Sequence, residues 1–254
     1  MRGTLTFLGA GGWFPAHGRQ TACALLRNGS RAIMLDAGTG AGRLVERPEL
    51  LDGIEELDII LTHFHLDHVA GLAYLPGFDL CERTTVWGPG RLLYGEPTDA
   101  LLAVVSHEPF HPVPLEDQAI EVRDLPATEI ELAGFRVATR RQDRHSAPSL
   151  GLRFDDELAW ITDTAYDPGS GAFATGCRTL AHEAWCVSAQ PRNPDIHSSA
   201  LQAAQVAAQA GAERLLLIHQ PPFTAALDPL LAEARTLLPR AALAVELAGV
   251  PALA

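Results

Sequence analysis

The sequence predicts an α/β fold in which two β-sheets pack face to face and helices cover their outer surfaces. Short apolar strands alternate with helical segments, and no linker-like or low-complexity stretch divides the 254 residues. Hydrophobic residues make up 47% of the chain and charged residues 20%, which is typical of globular proteins. Because a chain of this length can bury a sizeable core, we expect a single domain over residues 1–254.

The amino-terminal half begins with the alternating apolar and polar residues of strands. Asn28-Gly29-Ser30 has the residue types of a hairpin turn and is expected to join the second and third strands. A helix is expected over 38–46, and the spacing of apolar residues favours another over 68–75. The strands of this half are predicted at about 3–8, 21–27, 32–36, 57–61 and 84–89.

The carboxyl-terminal half repeats this rhythm of strands and helices. Asp155-Asp156-Glu157 predicts a hairpin between strands at 150–154 and 158–162. Ser198 or Ser199 is expected to cap an alanine-rich helix over 200–210 that ends at Gly211. The segment 89–118, which contains four prolines, is the least regular. The other predictions are strands at 135–139, 214–218 and 243–247 and a helix near 225–238.

Charge limits the substrates that the chain is expected to bind. It has 19 basic and 31 acidic residues, a formal net charge of −12, and every basic residue is an arginine. Long nucleic acids are bound through clustered basic side chains that neutralise phosphates. The dense basic group is Arg136, Arg140, Arg141 and Arg144, so a long nucleic acid is disfavoured although such a local patch could still serve one.

The sequence also bears on compartment and on thiol chemistry. No apolar run approaches the ~20 residues that a membrane span needs, and the amino terminus lacks the apolar stretch of a signal peptide. We therefore expect a cytoplasmic protein without membrane contact.

The cysteines form no Cys-x-x-Cys pair, which predicts buried free thiols rather than a zinc knuckle or disulfides, at Cys23, Cys81, Cys177 and Cys186.

A dense set of metal-ligand residues follows the apolar strand predicted at 57–61. The run is Thr62-His63-Phe64-His65-Leu66-Asp67-His68. Imidazole nitrogens and carboxylate oxygens suit zinc, manganese or iron, and four of them at one strand end can divide between two adjacent ions. A two-metal hydrolase is the expectation, and a solvated loop without function is the alternative.

This His-x-His-x-Asp-His pattern resembles the signature of the metallo-β-lactamase superfamily. Three later segments agree with that family in order: Arg144 to Phe154 resembles the part with its next ligand histidine, Trp160 to Thr164 its strand-end aspartate, and Leu215 to His219 its last ligand. The resemblance implies the family's four-layer αββα sandwich. It also implies two divalent ions, zinc or else manganese or iron, held by His63, His65 and His145 at one and by Asp67, His68 and His219 at the other, with Asp163 bridging both.

Within that superfamily the chain is most similar to ribonuclease Z and related small phosphodiesterases. The similarity rests on residues 7–12, 33–40 and 180–184, and above all on Pro194-Asp195-Ile196-His197-Ser198-Ser199-Ala200. It implies that His197 sits over the phosphate, where it would stabilise the transition state or protonate the departing oxygen. Asp67 would orient the hydroxide nucleophile shared by the ions or accept its proton during attack, and Glu183 would orient His197.

Four functions are compatible with these residues. The first is a phosphodiesterase acting on a small or cyclic phosphodiester or a short oligonucleotide. The second is ribonuclease Z proper, which trims precursor transfer RNA, although the long basic arm of many such enzymes is missing here. The third is a lactone, carboxylic ester or β-lactam hydrolase, and the fourth is a metal-binding protein without catalysis. The resemblance also implies a homodimer. Solvated or structural roles are expected for the remaining histidines His17, His107, His111 and His182.

Overall fold

The computed structural model describes residues 3–77, 81–118 and 120–251, and two β-sheets form its centre. In chain order the strands are β1 (Thr4–Gly9), β2 (Cys23–Asn28), β3 (Arg31–Leu35), β4 (Glu56–Ile60), β5 (Arg83–Gly88), β6 (Ile120–Asp124), β7 (Ile130–Leu132), β8 (Phe135–Gln142), β9 (Ser149–Phe154), β10 (Leu158–Ile161), β11 (Thr179–Glu183), β12 (Arg214–Ile218), β13 (Ala241–Leu243) and β14 (Gly249–Pro251).

Both sheets follow the same plan. The first has the strand order β14-β1-β2-β3-β4-β5-β6, and the second has the order β13-β12-β11-β10-β9-β8-β7. In the first sheet β3 to β6 are parallel, and in the second β10 to β13 are parallel, while the other neighbours are antiparallel. Loops at the carboxyl ends of parallel strands share one edge of a sheet, where ligands commonly bind.

Helices cover the outer face of each sheet. The α-helices are α1 (Arg43–Glu46), α2 (Leu66–Val69), α3 (Thr98–Ser106), α4 (Pro168–Phe173), α5 (Ala200–Ala210) and α6 (Asp228–Arg235). Short 3-10 helices lie at Thr39–Gly42, Pro48–Leu51, Ala70–Gly77 and Leu115–Gln118, and a π-helix lies at Gly90–Tyr94.

Three separate apolar clusters lie between these layers. Phe7 and Trp160 belong to the cluster between the two sheets. Met34 and Leu102 belong to the cluster beneath the helices of the first sheet, and Ala203 to the one beneath the helices of the second. Three cores separate four layers, so the predicted αββα sandwich is confirmed.

The predicted turn and cap residues are confirmed. Asn28 pairs with Arg31 across the β2–β3 hairpin. Ser199 caps α5, since its side chain accepts from the backbone N–H of Gln202 and the Gln202 side chain accepts from the N–H of Ser199. Gly211 ends the helix in the left-handed region, with φ 68°.

Several predictions for single elements are wrong or incomplete. The strand expected at 243–247 is instead β13, which ends at Leu243. The chain then leaves the second sheet, and the N–H of Leu247 donates to Phe7 O in the first sheet. The irregular segment 89–118 contains α3, whose Leu102 is buried in the core. The helix expected at 225–238 is limited to α6. Strands β6, β7 and β14 and helix α4 were not predicted.

The cysteines are free, as expected, but not uniformly buried. Cys23 and Cys177 are buried, whereas Cys81 and Cys186 are half-buried. Burial raises the pKa of the Cys177 thiol to about 11.

In the part of the chain that the structure describes, no helix has both the length and the apolar character that a membrane crossing requires.

Candidate metal centre

The candidate metal ligands come from loops at the same edge of the two sheets. His63, His65, Asp67 and His68 follow β4 of the first sheet. In the second sheet, Asp163 follows β10, His219 follows β12, and His145 lies in the turn between β8 and β9. The fold therefore brings together all seven side chains that the sequence indicated, although they span more than 150 residues of the chain.

The first group of donors consists of His63, His65, His145 and Asp163. One ligand atom from each lies within 4.8 Å of the others. His65 Nδ1 is 2.9 Å from His63 Nε2 and 3.2 Å from His145 Nε2. His145 Nε2 is 3.3 Å from Asp163 Oδ1. These atoms converge on one point at the floor of a pocket.

The second group, Asp67, His68 and His219, adjoins the first through Asp163. His219 Nε2 is 3.3 Å from Asp67 Oδ2 and 3.4 Å from Asp163 Oδ1. His68 Nε2 is 3.1 Å from Asp163 Oδ2. Asp163 Oδ1 thus lies beside donors of both groups, and Asp163 Oδ2 lies beside His68 of the second group.

The donor set fits divalent metal ions. Nitrogen and oxygen donors bound to one tetrahedral ion at ~2.0–2.1 Å lie ~3.3 Å apart, which is close to the observed spacing. His68 Nε2 is also buried, and the polar groups around it among the described residues are carboxylate oxygens, with Asp163 Oδ2 at 3.1 Å and Asp67 Oδ2 at 3.5 Å. A cation at this point would give that nitrogen a partner, so the cluster has the chemistry of a divalent metal centre.

Asp36 supports the cluster from behind, and its role was not predicted. It is fully buried directly after β3, and its carboxylate accepts from the backbone N–H and hydroxyl of Thr62 at 2.7 Å and 2.9 Å. Its other oxygen lies 2.9 Å from His68 Nδ1. A carboxylate in this position orients a ligand imidazole. The available signal was an aspartate at the end of an apolar strand that pairs with β4.

Backbone strain is concentrated at the same edge. Asp36, Asp163 and His219 adopt left-handed conformations with φ of 55°, 50° and 47°. Such conformations are costly for residues other than glycine and persist where the surroundings enforce them, often at functional sites. Gly12 lies so close to the His219 ring that an added Cβ would be 2.4 Å from Cε1. The absence of a side chain at Gly12 therefore allows the backbone of this turn to pack against the His219 ring.

The electrostatics of the cluster favour a cation. Burial lowers the pKa of His63 well below the usual range and also lowers that of His65, which keeps both imidazoles neutral. Burial alone would lower the pKa of His68, but the carboxylates of Asp163, Asp36 and Asp67 outweigh it and raise that pKa well above the usual range. The three carboxylates thus make the surroundings of His68 favourable for positive charge.

His197 and Glu183 form a second feature beside the donors, and one nitrogen of His197 lies within 4.8 Å of ligand atoms of Asp163 and His219. His197 Nδ1 lies 2.7 Å from Glu183 Oε2, and the other Glu183 oxygen accepts from the backbone N–H of Thr164 at 2.7 Å. The His197 ring stacks on Trp185, with centroids 4.5 Å apart. Burial lowers the pKa of His197, but Glu183 outweighs this effect and raises it. The imidazole is thus held in one orientation, with Nε2 left for another partner.

Five of the seven candidate donors line one open pocket of about 490 Å³ together with His197, whereas His63 and His68 are fully buried and do not line it. Its wall includes Trp13, which was also not predicted. The Trp13 backbone N–H donates to Asp67 Oδ2 at 2.7 Å. This volume lies in the ~300–1,000 Å³ range of small-molecule sites.

The remaining histidines lie outside the donor groups found among the described residues. His182 is buried on β11, His17 is exposed, and His111 Nε2 lies 3.0 Å from Ala73 O. His107 lies next to the carboxyl end of α3.

The arginine cluster is largely neutralised by carboxylates. Arg136 lies 3.5 Å from Glu129, Arg140 pairs with Asp167, and Arg141 lies 2.6 Å from Asp143. These pairs reduce the positive charge that the cluster could present to a polyanion.

Comparisons with known proteins agree with this architecture. A family model described as a beta-lactamase superfamily domain matches residues 31–220. Ribonuclease Z of Methanopyrus kandleri is 29% identical over 242 residues, covering 85% of this chain and 86% of that protein. Ribonuclease Z of Nostoc punctiforme is 28% identical over 307 residues, covering 95% and 93%.

Solved structures share the fold over nearly their whole length. The metallo-beta-lactamase fold protein YhfI from Bacillus subtilis has a TM-score of 0.76 at 20% identity, covering 96% of this chain and 97% of that one. A diphosphatase from the PhnP family has a TM-score of 0.72 at 19% identity, covering 98% and 97%. The short form of human tRNase Z has a TM-score of 0.70 at 22% identity, covering 99% and 100%. The chain belongs to the β-lactamase superfamily and is a metal-dependent hydrolase related to ribonuclease Z.

Proposed function

We propose that this protein is a binuclear metal-dependent phosphodiesterase that acts on a small or cyclic phosphodiester or a short oligonucleotide. The observation that carries the proposal is the pair of His197 and Glu183 beside seven candidate metal ligands, five of which line the same pocket as His197. Residues 1–254 would act as one catalytic domain. The printed names of several relatives, ribonuclease Z and a diphosphatase, support phosphate-ester chemistry.

The proposed ligand roles follow from the two donor groups. His63, His65 and His145 would hold one ion, Asp67, His68 and His219 would hold the second, and Asp163, which is close to both groups, would be shared between them. Two divalent ions, with zinc as the proposed metal, supply an activated water at neutral pH and neutralise charge on a phosphoryl group. Asp67, whose Oδ2 accepts from Trp13 N–H, orients the attacking water.

His197 provides the acid of the proposed reaction. Glu183 engages Nδ1, so the N–H at Nε2 is available to stabilise negative charge on the phosphoryl oxygens or to protonate the departing oxygen. Its stacking on Trp185 limits rotation of the ring. Glu183 is a positioning residue, because it acts through His197.

The substrate is proposed to be small because the chain offers little grip for a long polyanion. The net charge is −12, and three arginines of the basic cluster are paired with carboxylates. Residues 90–94 and 98–106 form short helices, and Leu102 of the second is buried in the core. This segment therefore packs on the domain and does not extend from it as an arm.

Ribonuclease Z activity is the second candidate, because relatives of that name align with 85% or more of this chain. Purified protein loaded with zinc or manganese would be assayed on bis(p-nitrophenyl) phosphate, a precursor transfer RNA and a simple lactone. We expect turnover of the diester. Cleavage of the transfer RNA at its discriminator base would favour the second candidate, and turnover of the lactone alone would contradict both.

Two variants test the assigned roles. His197→Ala is expected to lower kcat on the diester by about 10²–10⁴-fold while metal content stays at the wild-type level, since a general acid contributes by that factor. His17→Ala, which changes an exposed histidine, is the control and should retain activity.

Asp163→Ala is expected to lose at least one ion by elemental analysis, and retention of two ions would reject the bridging role.

A further inference from the structure

The rim of the pocket presents aromatic surface that neither metal binding nor His197 explains. Trp13 is 59% exposed, Phe14 is 43% exposed and Phe223 is 40% exposed. We call these three residues the aromatic rim. Large aromatic side chains grouped at a surface mark a binding site more often than single exposed apolar residues do.

The aromatic rim is continuous with the catalytic pocket. The Trp13 ring lies 5.1 Å from Phe14 and 5.7 Å from Phe223, measured between centroids. Phe223 in turn lies 5.5 Å from Trp185, the residue that stacks on His197. Trp13 itself lines the pocket together with the candidate ligands. A molecule bound at the donors therefore meets Trp13 at the mouth of the site.

Trp13 adopts an unfavourable backbone conformation that hydrogen bonds maintain. Its φ is 65°, a left-handed conformation that is unusual for a bulky residue. Its N–H donates to Asp67 Oδ2, and the N–H of Gly12 donates to Gln220 O at 3.0 Å. The indole is thus attached directly beside a candidate metal ligand, although its ring remains more than half exposed.

A positive charge lies at the same rim. The Arg192 guanidinium lies over the face of Phe223, 4.2 Å from the ring centroid. Arg192 is exposed and forms no salt bridge within residues 3–77, 81–118 and 120–251. This contrasts with Arg136, Arg140 and Arg141, which are paired with carboxylates. Arginine planes and aromatic rings together are the groups on which proteins stack unpaired bases.

We propose that the aromatic rim binds the base of a nucleotide, so that the substrates of this enzyme are nucleoside phosphodiesters. The base stacks on Trp13 while the phosphate occupies the donor groups, and Phe14 and Phe223 support the indole from the side. This inference rests on the proposed phosphodiesterase function. Trp13 is then a specificity-determining residue rather than a catalytic one.

Two p-nitrophenyl diesters with the same leaving group test the proposal. One is thymidine 5′-(p-nitrophenyl phosphate), and the other is methyl p-nitrophenyl phosphate, which has no base. Stacking of one base contributes about 5- to 150-fold by alanine substitution. We expect wild-type kcat/KM to favour the thymidine ester by about tenfold or more, consistent with that range. Trp13→Ala should remove this preference through KM, and Trp13→Phe should retain most of it.

Binding measured without turnover provides a second readout. Calorimetric titration of metal-loaded protein with AMP and with ribose 5-phosphate compares two phosphates that differ by the base. Wild type is expected to bind AMP about tenfold more tightly, and both Trp13→Ala and Phe223→Ala should lose the difference. Phe110→Ala is the matched control, because Phe110 is a 76% exposed aromatic residue that does not line this pocket. It should leave the preference unchanged.

The outcomes separate the two proposals. If neither diester is hydrolysed by metal-loaded wild type, the phosphodiesterase function is overturned. If both are hydrolysed equally well and Trp13→Ala changes nothing, the phosphodiesterase function stands and the rim proposal is overturned. If sedimentation shows that Trp13→Ala instead breaks a dimer without altering base preference, the rim is a subunit contact, which also overturns the nucleotide assignment.

Discussion

Single side chains that donate no ligand still determine the geometry of the candidate metal centre. Asp36 contacts Thr62 and His68 at once, and its left-handed backbone turns the carboxylate towards both. Thr162 plays a similar part on the other sheet, since its hydroxyl donates to Asp163 Oδ2 at 2.6 Å. Because ligand imidazoles and carboxylates rotate freely unless held, such contacts preorganise the site.

Removal of the Asp36 carboxylate is expected to weaken metal binding. Asp36→Ala leaves His68 Nδ1 and the Thr62 N–H without their partner, so metal affinity should fall by about 10- to 100-fold. Competition with a chromophoric chelator measures the change. Asp58→Asn, which alters a carboxylate on the adjoining strand without touching the donors, is the control. Wild-type affinity in Asp36→Ala would contradict the role assigned to this residue.

Asp58 itself leads to a prediction about pH and stability. Burial raises the pKa of this carboxyl, although the hydrogen bond from Trp87 Nε1 at 2.8 Å lowers it. A raised folded-state pKa favours the folded protein at acidic pH, and this contribution is lost as pH rises through the folded pKa. The ionised group is therefore destabilising at neutral pH.

Asp58→Asn keeps an oxygen for Trp87 but removes the buried charge. The gain in free energy of unfolding over wild type is expected to be larger at pH 7 than at pH 4. Urea unfolding of both proteins in the same two buffers measures it. A gain that is equal at both pH values, or larger at pH 4, would show that burial of this charge is not costly.

At the scale of secondary structure, the elements next to the site are held at their ends. Helix α5 begins three residues after His197, and Ser199 and Gln202 form the capping box at its amino-terminal end. Ser198 Oγ donates to Thr164 O at 2.8 Å and so ties this segment to the loop after β10. The start of α5 therefore positions His197 relative to Asp163.

Loss of the cap should destabilise this region. Ser199→Ala removes the acceptor for Gln202 N–H and should cost ~1 kcal/mol of unfolding free energy. For a chain of this size that corresponds to a fall in Tm of about 2–4 °C. Ser188→Ala removes only the 2.8 Å contact between Ser188 Oγ and Ser199 Oγ, so it serves as the control in thermal unfolding. Equal Tm values for the two variants would contradict the capping contribution.

Across the whole molecule, the candidate metal centre joins the two halves of the sandwich. Four of its donors follow β4 in the first sheet, and His145, Asp163 and His219 belong to the second sheet. Apolar packing of Phe7 against Trp160 holds the same sheets together further from the site. Bound metal would therefore cross-link both sheets and stabilise the folded chain.

Metal removal is expected to lower the thermal stability of the protein. Ions at about 100 times their Kd add ~2.7 kcal/mol to the folded state. Stripping them with a chelator should then lower Tm by about 5–10 °C, reversibly on addition of zinc. Calorimetry measures the shift, and Asp163→Ala provides the comparison, since it should respond less to added zinc. A Tm that is the same with and without metal would contradict cross-linking of the sheets.

The sequence by itself was sufficient for the fold class, most of the strands and the seven candidate donors that the fold brings together. These features depend on short-range signals: the period of apolar residues, turn and cap residues, and ligand residues at strand ends. The same reasoning missed β6, β7, β14, α3 and α4, and it misplaced the strand at 243–247. The short strands have too few residues to show a clear alternation of apolar and polar side chains. The path of the chain at Leu247 depends on a hydrogen bond to Phe7 of the first sheet, which no local pattern predicts.

Tertiary structure alone decided which distant residues support the donors. Asp36 reaches His68 across neighbouring strands, and Trp13 reaches Asp67 from a turn 54 residues earlier in the chain. The exposure of Trp13 and its contact with Phe223 likewise depend on loops from both sheets meeting at one edge. Local sequence patterns specify what each segment forms, but contacts between segments depend on how the sheets pack. The donors could therefore be predicted from the sequence, whereas the aromatic rim could not.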